Sequence, residues 1–168
     1  MNKHESKSWF AVYVKSRTEK KVAAELQKLE IEYFLPIIKE LRQWSDRKKW
    51  VEVPLFRSYV FVHIEPQDYF RVLQVNGASR YITFEGKAVA IPNQQIEAVR
   101  YFLNGKDQDP IDETSWKKGK KVEIISGSLT GLSGELVEVK GKQKVKVEIE
   151  AVGSSILIEI KKNKLMML

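Results

Sequence analysis

The chain has 168 residues, of which 43% are hydrophobic and 30% charged, a composition typical of a globular protein and not of a disordered one. It contains no cysteine, which excludes disulfides, thiolate metal sites and a cysteine nucleophile. No apolar run approaches the roughly 18 residues that a membrane-spanning helix requires.

The net charge of +7 is divided into two basic blocks around a short acidic one. Residues 1–103 carry 17 Lys and Arg against 12 Asp and Glu, residues 104–115 carry 1 against 4, and residues 116–168 carry 11 against 6. A basic block suits a polyanionic partner, although such a modest excess is also ordinary solvated surface. The N-terminal MNKHESKSW lacks the apolar core of a signal peptide, so we expect a cytoplasmic protein without a membrane partner.

The first part of the chain alternates strand-like and helix-like stretches. Ser8–Lys15 is rich in aromatic and β-branched residues and predicts a strand. Thr18 stands where it can cap a helix, whose buried stripe follows at helical spacing: Val22, Ala23, Leu26 and Leu29. Tyr33–Leu41 predicts a second strand, bent or placed at a sheet edge by Pro36. The polar QWSDRKKW then predicts a hairpin tip.

Val53–Ile64 is predicted as a third strand, and it is apolar on both of its faces. Pro66 begins a short helix that the Asn76–Gly77 turn ends. Arg80–Phe84 predicts the fourth strand, and a last helix starts at Pro92 and Asn93. The order β-α-β-β-α-β-α fits an α+β domain with a four-stranded antiparallel sheet and helices on one face, similar to ferredoxin-like and RRM domains.

The remainder of the chain predicts a second, all-β domain. Residues 104–115 have one apolar residue in twelve and indicate an acidic linker. Beyond them four short stretches alternate apolar and polar residues between Gly-containing turns, which favours a small β-barrel. We therefore expect domains over residues 1–103 and 116–168.

Catalytic and metal signals are weak. The two histidines, His4 and His63, have no second ligand at metal spacing and no identifiable acid–base partner. The stretch GSLTGLSG lacks the Gly-Lys-Ser/Thr ending of a phosphate-binding loop. We expect neither an enzyme nor a bound cofactor or metal.

Signals for nucleic-acid binding leave alternatives open. RSYVFVHI matches four of seven positions of the RNP1 pattern, at Arg57, Tyr59, Phe61 and Val62. The GXXG of a KH loop also occurs, although a hairpin turn explains it better. In QWSDRKKW, basic residues between two tryptophans either track a phosphate backbone or form a charged hairpin tip. An RRM-like RNA-binding protein or RNA chaperone is therefore one interpretation of the chain.

A family resemblance covers essentially the whole chain. VEIISGSLTGLSGELVEVKG is similar to the KOW motif, with Gly127, Gly131 and Gly134 where turns and strand crossings favour residues without Cβ. VPLFRSYVFVHIEP resembles the Phe-Pro-Gly-Tyr stretch of the NGN domain. WFAVYVKSRTEKKVAAEL resembles the opening of that domain, and NGASRYITFEGKAVAIP its last strand and turn. The chain thus resembles NusG-family transcription elongation factors, with an NGN and a KOW domain.

The resemblance implies a monomeric, non-enzymatic factor that binds the clamp helices of RNA polymerase and suppresses pausing or termination. It places polymerase binding at an aromatic patch with a nearby lysine: Tyr13, Phe56, Tyr59, Phe61 and Lys21. Trp9 and Phe61 could instead fill the core of the domain. DNA or nascent RNA would lie near a basic set: Lys15, Arg17, Arg47, Lys48 and Lys49. A ribosomal protein or a termination factor is a candidate partner of the KOW domain.

Several positions depart from the usual pattern of the family. Arg57 and Ser58 stand in place of Pro-Gly, which is similar to specialised paralogues such as RfaH and the UpxY antiterminators of capsular polysaccharide operons. In the KOW domain, Ser128–Leu129 replace Pro-Phe and 152–154 replace Phe-Gly-Arg. Dense β-branched residues and Gly153 favour a lasting β form over the helical hairpin of some paralogues.

Overall fold

The computed structural model describes residues 6–105 and 119–168. The chain folds as two compact units, residues 1–91 and 92–168. His4 and residues 106–115 of the predicted linker lie outside the described residues. The expected domain limits at residues 103 and 116 stay a prediction.

A four-stranded antiparallel sheet forms the centre of the first unit, as predicted. Its strands lie in the order β2-β5-β1-β6, and their bounds are β1 Ser8–Val14, β2 Glu32–Phe34, β5 Tyr59–Ile64 and β6 Ala78–Tyr81. The two central strands, β1 and β5, pair over six residues, from Ser8 opposite Ile64 to Tyr13 opposite Tyr59. The alternation of the sequence therefore decides which side chains share each face.

Two helices accompany this sheet, α1 (Glu19–Lys28) and α2 (Tyr69–Leu73), the second preceded by a 3₁₀ turn at Pro66–Asp68. Side chains from α1, α2 and one face of the sheet form the core: Val12, Val14, Val22, Leu26, Val60, Val62, Ile64 and Val72. Thr18 precedes α1 as predicted, but its hydroxyl donates to the Lys15 carbonyl at 2.5 Å and does not cap the helix.

Two predicted strands are divided in the structure. Pro36 separates β2 from β3 (Ile37–Gln43), because a proline cannot donate to a ladder. Val53–Ile64 is not one strand either, since Val53 and Pro54 end β4 (Lys48–Pro54) and a turn precedes β5. Strands β3 and β4 pair with each other as a separate two-stranded hairpin. A second small hairpin joins β7 (Thr83–Phe84) to β8 (Lys87–Ala88).

The second unit contains a five-stranded antiparallel sheet in the order β12-β11-β10-β9-β13. Its strands are β9 Lys121–Ile124, β10 Ser133–Val139, β11 Lys142–Ile149, β12 Ser154–Ile158 and β13 Leu165–Met167. The four predicted strands are present. The fifth strand, β13, pairs with β9, and the alternation did not predict it because it is only three residues long. Closure of this sheet into a barrel stays a prediction.

The last helix, α3 (Asn93–Asn104), begins at the predicted position. It contacts β11 and β12 of the second unit, and its apolar side is buried through Ile96, Ala98, Val99 and Phe102. Gln94 donates to the Thr130 carbonyl at 2.8 Å. Sequence alone groups this helix with the first domain, whereas its contacts in the structure lie with the second sheet.

Candidate interaction surfaces

The first sheet has an aromatic face opposite the one that α1 and α2 cover. On β1 the alternation places Trp9, Ala11 and Tyr13 on this face, while Val12 and Val14 point to the core. On β5 it places Tyr59, Phe61 and His63 there. The apolar character of both faces of β5 is thus explained by a helix-covered core on one side and an aromatic layer on the other.

Tyr13 and Tyr59 form an accessible pair at one end of this aromatic face. They lie directly opposite each other in the β1–β5 register, with ring centroids 5.7 Å apart in an edge-to-face arrangement. Tyr13 is 36% exposed and Tyr59 is partly buried. The guanidinium carbon of Arg80, on β6, lies 5.2 Å from the Tyr13 ring centroid. Phenol rings beside a cation supply large contact area at a low rotamer cost, as protein interfaces require.

The other predicted aromatic residues are buried. Phe61 is fully buried and Phe56 is 6% exposed, and their rings meet edge to face at 5.8 Å. Phe34 stacks on Phe61 at 6.2 Å. Trp9 is also buried and stacks on His63 at 4.6 Å, so both residues contribute packing here. The interface role assigned to Phe56 and Phe61 stays a prediction, and in this structure both rings are buried and pack against each other.

A strained turn presents Tyr59 at the start of β5. Ser58 has φ +67°, a left-handed conformation that glycine adopts freely and that costs other residues about 1 kcal/mol. Its N–H donates to the carboxylate of buried Glu19 at 3.0 Å, and its carbonyl accepts from the Val14 N–H at 2.8 Å. Lys21 lies two residues beyond Glu19 on the exposed side of α1. The serine therefore keeps the backbone shape that the usual glycine would give.

A basic cleft forms where the β1–α1 turn approaches the base of the β3–β4 hairpin. Four cations line it: Arg17, Lys20, Arg42 and Arg57. Glu40 offsets part of this charge, with Oε2 at 3.5 Å from Arg42 and 3.9 Å from Arg57. Of the predicted nucleic-acid residues, Arg17 lines this cleft and Lys15 is exposed in the adjoining turn. Arg57, which the sequence singled out only through the RNP1 pattern, joins them, whereas Lys20 and Arg42 were missed, because only the fold brings these residues together.

The β3–β4 hairpin divides the remaining predicted cations between its two faces. Arg47 and Lys49 lie over the Trp44 ring, 5.6 and 5.8 Å from its centroid. Lys48 points to the opposite face, because consecutive residues of a strand alternate. Lys48 and Lys49 therefore act on different sides of the hairpin, although they are neighbours in sequence.

The three glycines of the predicted KOW motif have separate structural reasons. Gly127 and Gly131 have φ of +93° and +89°, which favour a residue without Cβ, in the turn between β9 and β10. A Cβ on Gly134 would lie 2.6 Å from the Lys146 carbonyl oxygen and 2.6 Å from Val145 Cγ1. Turn geometry explains the first two, and close strand approach explains the third. Their identification as a KOW motif stays a prediction.

The described residues bear on catalytic, metal and membrane functions as follows. Among residues 6–105 and 119–168, no three His, Cys, Asp or Glu side chains are grouped as metal ligands would be. His63 Nδ1 lies 2.7 Å from Glu32 Oε2 on the sheet. Within the described part of the chain, no helix is both long and apolar enough to cross a bilayer.

Comparison with known proteins points to one family. A family model described as transcription termination factor nusG matches residues 7–100. The transcription termination/antitermination protein NusG of Thermus thermophilus is 26% identical over 175 aligned positions, which cover 90% of this chain and 94% of that protein. A solved structure, of domain interaction in Thermotoga maritima NusG, is also similar to this chain. The alignment covers 95% of this chain and 96% of that chain, with 21% identity and a TM-score of 0.50. That structure has the same fold.

Proposed function

Since the chain belongs to the NusG family of transcription termination and antitermination factors, we propose that its first unit binds RNA polymerase and suppresses pausing or termination during elongation. The observation that carries this proposal is the Tyr13–Tyr59 pair on the aromatic face of the sheet, with Tyr13 36% exposed and flanked by Arg80. Exposed aromatic rings beside a cation are the features that form energetic centres of protein interfaces. The clamp helices of polymerase are the proposed partner. The cytoplasmic location expected from the sequence agrees with that partner.

The mechanism that follows is a shift of population, without chemistry. A factor that binds the closed clamp better than the open clamp makes the paused polymerase less populated, and it does so only by its differential affinity for the two states. A difference of about 1.4 kcal/mol is enough for a tenfold change in that population. The chain therefore needs a rigid docking surface, which the Glu19–Ser58 hydrogen bond and the packed phenylalanines supply.

Nucleic acid in the elongation complex is the proposed partner of the basic groups. The cleft cations and the hairpin tip lie on the same unit as the tyrosine pair. Lysine and arginine side chains that neutralise phosphates release counterions, so this interaction should weaken steeply with salt. Such interactions would strengthen polymerase binding without reading sequence.

We further propose that the chain is a specialised paralogue similar to RfaH or the UpxY proteins, acting on long polysaccharide operons. Arg57 and Ser58 support this proposal, because they change the surface of the docking turn while Ser58 keeps its left-handed backbone. Arg57 also adds a cation to the cleft. The second unit remains the proposed site for a ribosomal protein or a termination factor.

Co-purification with RNA polymerase tests the proposal against an RNA-binding protein that acts without polymerase. The full chain, immobilised by a tag, is mixed with purified polymerase after nuclease treatment. We expect polymerase to be retained, because the tyrosine pair contacts protein. Retention that disappears with nuclease would favour the RNA-binding alternative.

A further inference from the structure

The outer half of the β3–β4 hairpin exposes apolar surface that the core of neither unit requires. Every residue from Leu41 to Trp50 is exposed. Leu41 and Trp50 lie opposite each other in the register and so on one face, with exposures of 46% and 63%. The cross-strand pair with Leu41 helps to hold a ribbon that would be only marginally stable in water by itself, but it leaves most of the indole exposed.

Charged residues surround this indole on the same face. Register pairs Lys39 with Glu52 on the side toward the hairpin base, and Gln43 with Lys48 on the side toward the tip. We call the face formed by Lys39, Leu41, Lys48, Trp50 and Glu52 the indole face. The register thus places a lysine on either side of the indole along the hairpin, the order in which phosphates flank a base.

We propose that the indole face binds single-stranded RNA, with one unpaired base stacked on Trp50 and the adjacent phosphates near Lys48 and Lys39. Base stacking on an aromatic side chain tolerates any sequence, because every base has a π face. The 63% exposure of Trp50 leaves room for a base to approach the indole. The bases of a duplex are already stacked on one another, so duplex phosphates can contact the lysines but a duplex base cannot stack on the Trp50 ring.

Two observations favour this assignment over alternatives on the same hairpin. Trp44 lies on the other face beneath Arg47 and Lys49, so a base approaching that ring meets two cations first. Glu52 lies next to Trp50 on the indole face, where a carboxylate repels phosphate but accepts a hydrogen bond from a ribose 2′-hydroxyl. Contact with the 2′-hydroxyl is how proteins distinguish RNA from DNA, so RNA is the chosen strand.

This inference deepens the nucleic-acid binding proposed above and rests on it for biological setting, but not on polymerase binding. Purified full chain is titrated with an oligouridine RNA of about ten nucleotides, within the usual site size of single-strand binders. Tryptophan fluorescence and the dissociation constant are both recorded, for the wild type, Trp50→Ala and the matched control Trp44→Ala. Circular dichroism shows that each variant is folded.

We expect Trp50→Ala to weaken RNA binding about tenfold and to leave the salt dependence unchanged, because the lysines still neutralise the phosphates. Trp44→Ala should stay within about threefold of the wild type. Trp50→Phe, which keeps a ring, should bind nearly as well but lose most of the quenching. Oligodeoxyuridine should bind more weakly than the RNA. Glu52→Ala should reduce this difference in affinity between RNA and DNA.

Equal effects of the two alanine variants would overturn the proposal, as would a duplex RNA that binds as tightly as the single strand. DNA bound more tightly than RNA would overturn the choice of strand. A Trp50→Ala variant that keeps RNA affinity but no longer binds polymerase would make this face a protein-binding surface. The double variant Lys48→Ala with Lys49→Ala tests only the charge interaction, through a weaker salt dependence of binding. If that salt dependence does not change, the result counts against phosphate neutralisation and not against stacking on Trp50.

Discussion

Replacing Tyr59 by alanine should remove polymerase binding and leave the fold intact. Tyr59 is the partner of Tyr13 at the accessible end of the aromatic face. Truncating a central aromatic residue of an interface commonly costs about 2 kcal/mol or more, which corresponds to roughly a 30-fold rise in Kd. Within the fold, the substitution removes one edge-to-face ring pair, worth about 1 kcal/mol beyond the area buried by a ring that is only partly buried. That is a small share of the roughly 5–15 kcal/mol by which a domain is stable.

The assay is equilibrium binding of labelled full chain to nuclease-treated polymerase, with circular dichroism and thermal unfolding of each variant. Phe70→Ala is the matched control, because Phe70 is 72% exposed on α2, the helix that contributes to the opposite side of the sheet. We expect this control to bind as the wild type does. Normal binding by Tyr59→Ala, or an equally weakened binding by Phe70→Ala, would refute the assignment of the docking surface.

Three further predictions concern charge, packing and titration. Lys48→Ala and Lys49→Ala should each lower the slope of log affinity against log salt concentration in duplex DNA binding, by about 0.9 for every phosphate that the variant no longer neutralises. Two unchanged slopes would mean that the hairpin tip is solvated surface only. Gly134→Ala should destabilise the second unit by about 1–3 kcal/mol, because the new Cβ meets a β11 carbonyl oxygen at 2.6 Å; a melting temperature equal to that of the wild type would contradict this. Burial raises the pKa of the Tyr81 hydroxyl, which donates to a carbonyl of α2 at 2.7 Å. The stability that the protonated Tyr81 hydroxyl contributes is complete below the unfolded pKa of about 10 and is lost as pH rises above that value. Tyr81→Phe should therefore flatten the loss of stability at alkaline pH, measured by denaturant unfolding. An unchanged pH profile would exclude this contribution of Tyr81.

Much of the sheet architecture follows from local pattern. Apolar residues at helical spacing give α1, and strict alternation gives β9 to β12, because burial on one face is decided by period. Register is also encoded: the valines of β1 and β5 share the core face, and this leaves Tyr13 and Tyr59 together on the other face. The left-handed Ser58 is not visible in this way, since serine carries no local signal for φ above zero, and the predicted strand through Val53–Ile64 was wrong there.

The parts of the candidate surfaces that depend on distant residues could not be predicted. Arg80 reaches Tyr13 only because β6 lies beside β1. The cleft cations come from a turn, a helix and a hairpin that meet in space. Phe56, in the turn before β5, meets the Phe61 ring edge to face. Such arrangements depend on tertiary geometry, for which a single sequence gives no period or spacing.

The lifetime of polymerase pauses tests the central claim most directly. Purified polymerase is halted and released on a template with a defined pause, with and without the full chain, and with a Tyr13→Ala and Tyr59→Ala double variant. The proposed mechanism predicts shorter pauses with the wild type and unchanged pauses with the double variant, because the variant cannot dock on the clamp. Pauses that the wild type leaves unchanged or lengthens, or that the double variant shortens equally, would contradict it.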